Sequence, residues 1–309
     1  MKSSLILRSI CSTFAMAAYL GFQATCAGFS LDGASQFAVL SQYANNMLNF
    51  NNGTITGDIG LGSPRQFTAS NGSVVGNVRF SGASSTSGLT PNPTPGSGTG
   101  PFTVSGGGTV SGNVVANDAG VTSALNYVNS LSQTLGGESG TALTLTSSQT
   151  INASSGMLDG SGNEVFTAAS VNLNNASVLT INGSASDYVV INVTDNNPAF
   201  NGSINLTGGI TDDHVLFNMY GGNYTTHTGG PTLTISNNGQ TANGTFLDPN
   251  GGMQMNHSVL DGRFFGGDVA NQQIVSGGFI TAPVPEPGTA SFLAFGLLSL
   301  LIARRSRKQ

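Results

Sequence analysis

Gly53-Thr54-Ile55-Thr56-Gly57-Asp58-Ile59 is echoed by Gly72-Ser73-Val74-Val75-Gly76-Asn77-Val78 and again by Gly108-Thr109-Val110-Ser111-Gly112-Asn113-Val114. The shared pattern is Gly, hydroxyl, β-branched, any residue, Gly, Asp or Asn, β-branched. The first two copies are 19 residues apart, and the third lies 36 further on, close to two such spacings. Looser copies occur at Gly202-Ser203-Ile204-Asn205-Leu206 and Ser258-Val259-Leu260-Asp261-Gly262. A period of about 18 to 20 residues is one coil of a β-solenoid, in which each coil buries its inward side chains only against its neighbours. Gly and Asn then take the corners, where a positive φ is needed. A β-sandwich with alternating strands draws on the same residue types and is the alternative fold.

The repeat ends at two irregular segments. Ser81 to Gly107 contains Thr90-Pro91-Asn92-Pro93-Thr94-Pro95-Gly96-Ser97-Gly98, a turn-rich, low-complexity stretch that reads as an exposed loop. From Ala119 to Leu135 the apolar residues Val121, Ala124, Leu125, Val128, Leu131 and Leu135 mark one face of a helix. Asn117 or Asp118 caps its start and Gly136-Gly137 its end. Such a helix would cover an apolar flank of the solenoid. Short strands follow at Leu143–Leu145, Glu164–Ala168, Val178–Ile181, Tyr188–Val193, Ile204–Leu206, His214–Met219, Thr232–Ile235 and Gly244–Leu247, with turn residues between them.

Both ends read as targeting segments. Lys2 and Arg8, an apolar stretch to Phe22 and Ala24-Thr25-Cys26-Ala27 form a secretory signal over residues 1–27, with cleavage expected after Ala27. An uncleaved anchor and a lipoprotein are the other readings. Gln23 stands where a lipobox needs Leu, which counts against the second. At the other end Val284-Pro285-Glu286-Pro287-Gly288 precedes Thr289 to Ala303, which carry no charge, and Arg304, Arg305, Arg307 and Lys308 follow. About 15 residues at about 1.5 Å each give a helix of roughly 23 Å, short for a bilayer core of about 30 Å. The basic cluster orients such a span with the tail inside and the body outside.

Composition bounds what lies between. Cys11 and Cys26 both fall in the expected signal, so the mature body from residue 28 to about 283 has no thiol chemistry and no disulfide. Its basic residues are Arg65, Arg79 and Arg263, against thirteen acidic ones, a balance of about −10. Such a body lacks the cations needed to bind nucleic acid through phosphates. No His-Glu-x-x-His or Gly-x-Ser-x-Gly motif occurs, and no cofactor or metal site is expected. Asp212-Asp213-His214 is the most enzyme-like cluster, and it also reads as a polar turn. Asp159-Gly160-Ser161-Gly162-Asn163-Glu164 spaces oxygens like a calcium loop but lacks the full pattern, which leaves a β-turn. The pairs Thr54/Thr56, Thr144/Thr146 and Thr232/Thr234 are too scattered in sequence to predict a regular threonine array. Sequons at Asn52, Asn71, Asn152 and Asn201 follow from composition, and glycosylation at them is a further expectation.

Two resemblances add to this reading. Pro285, Glu286 and Pro287, followed by the apolar stretch and the Arg cluster, resemble the PEP-CTERM sorting signal of Gram-negative bacteria. That resemblance implies recognition and cleavage by an exosortase, transient anchoring in the inner membrane by residues 289–303, and release to a cell surface or matrix rich in exopolysaccharide. In the body, Phe37-Ala38-Val39-Leu40 with Ile55-Thr56-Gly57-Asp58-Ile59-Gly60 resembles the ice-binding-like β-solenoid family. Val215-Leu216-Phe217-Asn218, Gly244-Thr245-Phe246-Leu247-Asp248-Pro249-Asn250 and Leu260-Asp261-Gly262-Arg263-Phe264-Phe265-Gly266-Gly267 resemble the related choice-of-anchor A domain.

These resemblances imply a mainly β fold, a right-handed β-solenoid with one flanking α-helix, and no catalytic residues. The expected organisation is a signal helix (1–27), first rungs (28–80), a loop (81–107), further rungs with the flanking helix (108–280), and a sorting tail with a hydrophobic anchor helix (281–309). The leading expectation is a non-enzymatic surface or matrix protein associated with exopolysaccharide. A carbohydrate-active enzyme using Asp159 with Glu164, or Asp212 with Asp213, and an ice-binding protein are the alternatives.

Overall fold

The computed structural model describes residues 28–42, 47–63, 66–82, 102–267 and 272–283. The signal segment, the Pro-Glu-Pro tail with its apolar and basic stretches, and most of the Pro/Gly/Ser loop lie outside the described residues. Within them the chain forms 23 strands, three 3-10 turns and one α-helix, Ala119–Gly136. The strands pair in parallel, except that Met157–Leu158 runs antiparallel to Asn163–Leu173. This is a β-solenoid with three faces, mainly β with one helix against it.

One inward column shows how the rungs stack. Phe166, Ile191, Phe217, Phe246, Phe264, Val39, Ile59, Val78 and Val114 occupy successive partner positions. Phe217 and Phe246 stack with ring centroids 4.7 Å apart. Each inward side chain is sealed above, below and laterally, so burial stabilises the rung by about 1.5–3 kcal/mol per large apolar residue. This explains how a chain without disulfides in its body can use small outward residues.

The stacking order is not the sequence order. Val39 pairs with Phe264, Leu48 with Gln272 and Thr54 with Phe279, so the last strands of the body seat directly on its first rung. The first rungs lie on one side of this seam. The helix runs back along the molecule, and the rungs after it return to the seam.

Two spacing expectations are corrected. Ser73 pairs with Thr109 and Val74 with Val110, so the 36-residue gap is one rung enlarged by an insertion, not two rungs. Phe102–Ser105, inside the stretch read as loop, is a strand paired with Phe67–Ser70. Beyond the helix a rung takes 25 to 29 residues, as in Phe166↔Ile191 and Phe217↔Phe246, because the corners between strands are longer there.

The repeat's residues have distinct physical roles. A Cβ on Gly76 would sit 2.3 Å from the Gly57 carbonyl oxygen, and one on Gly262 would sit 1.9 Å from that of Gly244. The second Gly of each copy therefore allows corners of adjacent rungs to touch. The Asp/Asn that follows acts through its side chain: Asp58 Oδ1 accepts from the Asn77 amide at 2.9 Å, and Asn77 Oδ1 accepts from the Asn113 amide at 2.8 Å. Left-handed backbone falls instead on Asn52 and Asn71, with φ of 52° and 54°, at the corner before the repeat.

The helix covers one face. Leu40, Phe265, Leu247, Leu216 and Val190 point outward from the sheet and pack against Val121, Ala124, Val128 and Leu135. Asp118 caps the helix by accepting from the Gly120 amide. The buried amides Asn192 and Asn218 tie its far end through the Leu135 carbonyl and Ser132.

Candidate functional site

The other two faces carry no helix or second sheet among the described residues. We call them the threonine face and the amide face after their outward rows.

The amide face is built by strands that include Met47–Thr56 up to its corner at Asn52, the first half of Gln66–Val75, and Phe102–Ser105. Its outward row reads Asn172, Ala199, Thr234, Gln254, Gln273, Asn49, Thr68 and Thr103. The row contains no charge.

The threonine face has two sections. In the first, Thr150 pairs with Thr180 and Asn205, and Asn152 with Asn182 and Thr207. Asn182 donates to Asn152 Oδ1 at 3.0 Å and accepts from the Thr207 hydroxyl at 3.2 Å, which gives a hydrogen-bonded ladder. In the second section, a row reads Thr241, Val259, Phe279, Thr54, Ser73 and Thr109. The neighbouring row reads Asn243, Asp261, Thr281, Thr56 and Val75. Asn243 donates to the Ile204 carbonyl and joins the two sections.

Alternation along a strand and in-register pairing between strands place these side chains on a grid of about 4.8 Å by about 6.8 Å. Asp261 is the one charged residue in the rows. Phe279 and Val75 stand 46% and 49% exposed among the hydroxyls. Such a surface offers repeated hydroxyls and methyls, and it has no nucleophile, acid–base pair or metal ligand set.

The expected threonine pairs divide between faces: Thr54/Thr56 lie on the threonine face, whereas Thr234 lies on the amide face. Single threonines that the sequence reading passed over, at positions 150, 180, 207, 241, 109 and 281, complete the array. The signal that could have found them is a lone Thr directly before a buried Ile or Val, as in Thr150-Ile151, Thr180-Ile181 and Thr109-Val110.

The enzyme-like clusters resolve into turns. Asp212–His214 is a 3-10 turn leading into the strand Val215–Met219. His214 stacks on Tyr188 at 4.0 Å, and its Nδ1 has no hydrogen-bond partner among the described residues, so no Asp–His dyad forms. Burial and then Asp213 push the Asp212 carboxyl above its usual range. Asp159 accepts from the amides of Ser161 and Asn163, both at 2.8 Å, and so closes its own loop. Burial, then Asp187, raises the Glu164 carboxyl. Among the described residues no group of three or more His, Cys, Asp or Glu could hold a metal ion.

Arg263, 2% exposed, is the anchor of the seam. Its Nη2 donates to the carbonyls of Ser35 and Pro283, both at 3.0 Å, and so binds both ends of the body. Burial pushes its pKa down, and Asp212 and Asp213 oppose that.

The expected cleavage site at Ala27, the sorting residues Pro285, Glu286 and Pro287, and the basic residues Arg304, Arg305, Arg307 and Lys308 lie outside the described residues. No helix among those described is long and apolar enough to cross a membrane.

Comparison with known proteins agrees with this geometry. An ice-binding protein from an Arctic yeast, solved for its antifreeze activity, superposes with a TM-score of 0.52 at 16% identity, over 86% of this chain and 98% of that one. A glycosylated form of an Arctic yeast ice-binding protein gives 0.51 at 17%, over 83% and 95%. The ice-binding protein of the Antarctic ascomycete Antarctomyces psychrotrophicus gives 0.50 at 17%, over 83% and 99%. At these identities the likeness establishes the fold. No curated protein matches the sequence. The family model of the ice-binding-like adhesive domain matches residues 24–278, most of the chain, and the chain therefore belongs to the ice-binding-like adhesive domain family.

Proposed function

We propose that this chain is an exported, non-enzymatic adhesive domain that binds an ordered, hydroxylated solid through its threonine face, with ice as the ligand that fits best. One observation carries the proposal: threonines scattered from residue 54 to residue 281 are brought by strand register onto one nearly uncharged grid. Ice offers periodic hydrogen-bonding positions at a flat surface. A rigid array of hydroxyls and methyls can match these without first giving up side-chain freedom. The structural neighbours whose titles name ice binding support the reading. The test is thermal hysteresis and ice-crystal shaping by the purified secreted protein. Activity that falls when Thr54 or Thr180 is changed to Tyr, with the fold unchanged, would bear it out. Absence of both effects in the unaltered protein would refute it.

A second reading, association with exopolysaccharide, draws on Phe279, whose half-exposed ring on a hydroxyl-lined face suits stacking on a sugar ring. In both readings residues 1–27 direct export and are removed after Ala27. An exosortase recognises Pro285, Glu286 and Pro287, and residues 289–303 hold the inner membrane until cleavage, with Arg304, Arg305, Arg307 and Lys308 on the cytoplasmic side. Mass spectrometry of the protein recovered outside cells fixes both termini. A retained tail would remove the sorting element of this proposal and leave ligand binding untouched.

A further inference from the structure

A cleft of about 570 Å³ opens at the shoulder where the helix begins, away from both bare faces. Its floor is a stack of corners. Gln42, Gly62 and Ser81 follow three successive helix-face strands, and their backbones bond in register: the Gly62 amide donates to the Ser41 carbonyl and the Ser81 amide to the Leu61 carbonyl, both at 2.9 Å. Thr122, Leu125 and Asn126 of the helix form one wall. The opposite wall is a turn carrying Thr225, Thr226 and His227.

That turn is held firmly. Asn223 Oδ1 accepts from the amides of Thr225 and Thr226 at 2.9 and 3.0 Å, and Asn223 bridges to Thr228. Tyr224 fastens the turn to the helix through Ser132 and Asn129. His227 is held in a left-handed conformation, φ 54°. Gln42, 3% exposed, donates to the Leu125 carbonyl, while its own Oε1 has no partner among the described residues.

The chemistry of the lining narrows the ligand. No Asp, Glu, Lys or Arg is among the lining residues, so neither an anion nor a metal ion would find a charged partner. An apolar ligand would strand the hydroxyls and amides without hydrogen bonds. Hydroxyl and amide groups on three sides, with Leu125 as one apolar patch, suit a small neutral polyhydroxylated ring. The volume falls within the usual range of about 300–1,000 Å³ for small-molecule sites. We infer that this cleft is a binding site for a neutral sugar residue, separate from the threonine face and independent of what that face binds.

The test is saturation-transfer NMR of the full-length chain with glucose, galactose, mannose and N-acetylglucosamine, and with glucuronate as the charged comparison. At least one neutral sugar should receive magnetisation. Asn126→Leu and Thr226→Val sit on exposed positions, so the fold is kept, and each should weaken binding about tenfold through one lost hydrogen bond. Thr54→Tyr on the threonine face should leave sugar binding unchanged. The inference is overturned if no neutral sugar binds, if glucuronate binds better than all four, if binding survives both cleft variants, or if Thr54→Tyr abolishes it.

Discussion

The helix face and the threonine face are two sides of the same rungs, and their inward columns are alike. Phe264 and Leu260, on one strand, point into the same core from the two faces. The faces differ in their outward rows. Under the helix that row is Leu40, Phe265, Leu247, Leu216 and Val190; on the threonine face it is Thr, Ser and Asn with a few apolar residues. In a solenoid the inward column alone makes the rung. The outward row is then free, either to be covered by another element or to be presented to a ligand.

Breaking the shared column should have the largest effect. Phe264→Ala removes a ring at the seam and should cost about 3–5 kcal/mol, read as a shift in the urea unfolding midpoint. A loss below about 1 kcal/mol would mean that the seam is not packed as described. Next is the covered row: Leu216→Ala, under the helix, should cost about 2–4 kcal/mol in the same measurement.

The helix cap sharpens the contrast further. Burial pushes the Asp118 carboxyl up, but the Arg79 guanidinium at 2.6 Å and the Gly120 amide outweigh it and hold the group below the usual carboxylate range. A carboxyl depressed on folding contributes stability above its unfolded pKa and loses that contribution as pH falls through the folded one. Asp118→Ala should therefore cost about 1 kcal/mol at neutral pH, and the gap from the parent should close in acid. Equal loss at both pH values would count against the ion pair.

The smallest effect on stability should come from the open row. Thr56→Ala is expected to change unfolding by no more than about 0.5 kcal/mol. It should nevertheless reduce ice activity, which a thermal hysteresis measurement on the same sample would show.

Much of this architecture could be read from residues 53–114, because the repeat states both the rung and its corner chemistry. The helix was equally plain, since its apolar spacing coincides with the face that is buried. The seam was hidden, because Val39 and Phe264 carry no mark of partnership across most of the chain. The threonine array was hidden for a related reason. Thr150, Thr180 and Thr54 become neighbours of their rows only through strand register, and rungs that lengthen from 19 to 29 residues blur the period in the sequence. The cleft at Gln42 was not legible at all, because its walls come from three separate regions of the chain.

The seam also governs how the molecule can be built and held. The strands Gln272–Val275 and Gly278–Thr281 enter the middle of the stack, and the described body ends at Pro283 beside Arg263. A chain delivered from its N-terminus cannot zip rung by rung from one pole to the other. Its first rungs must wait, with one edge open, for the last strands to arrive. A tether continuing from Pro283 then grips the rod at its waist, so that its long faces, and neither pole, lie along the surface that holds it.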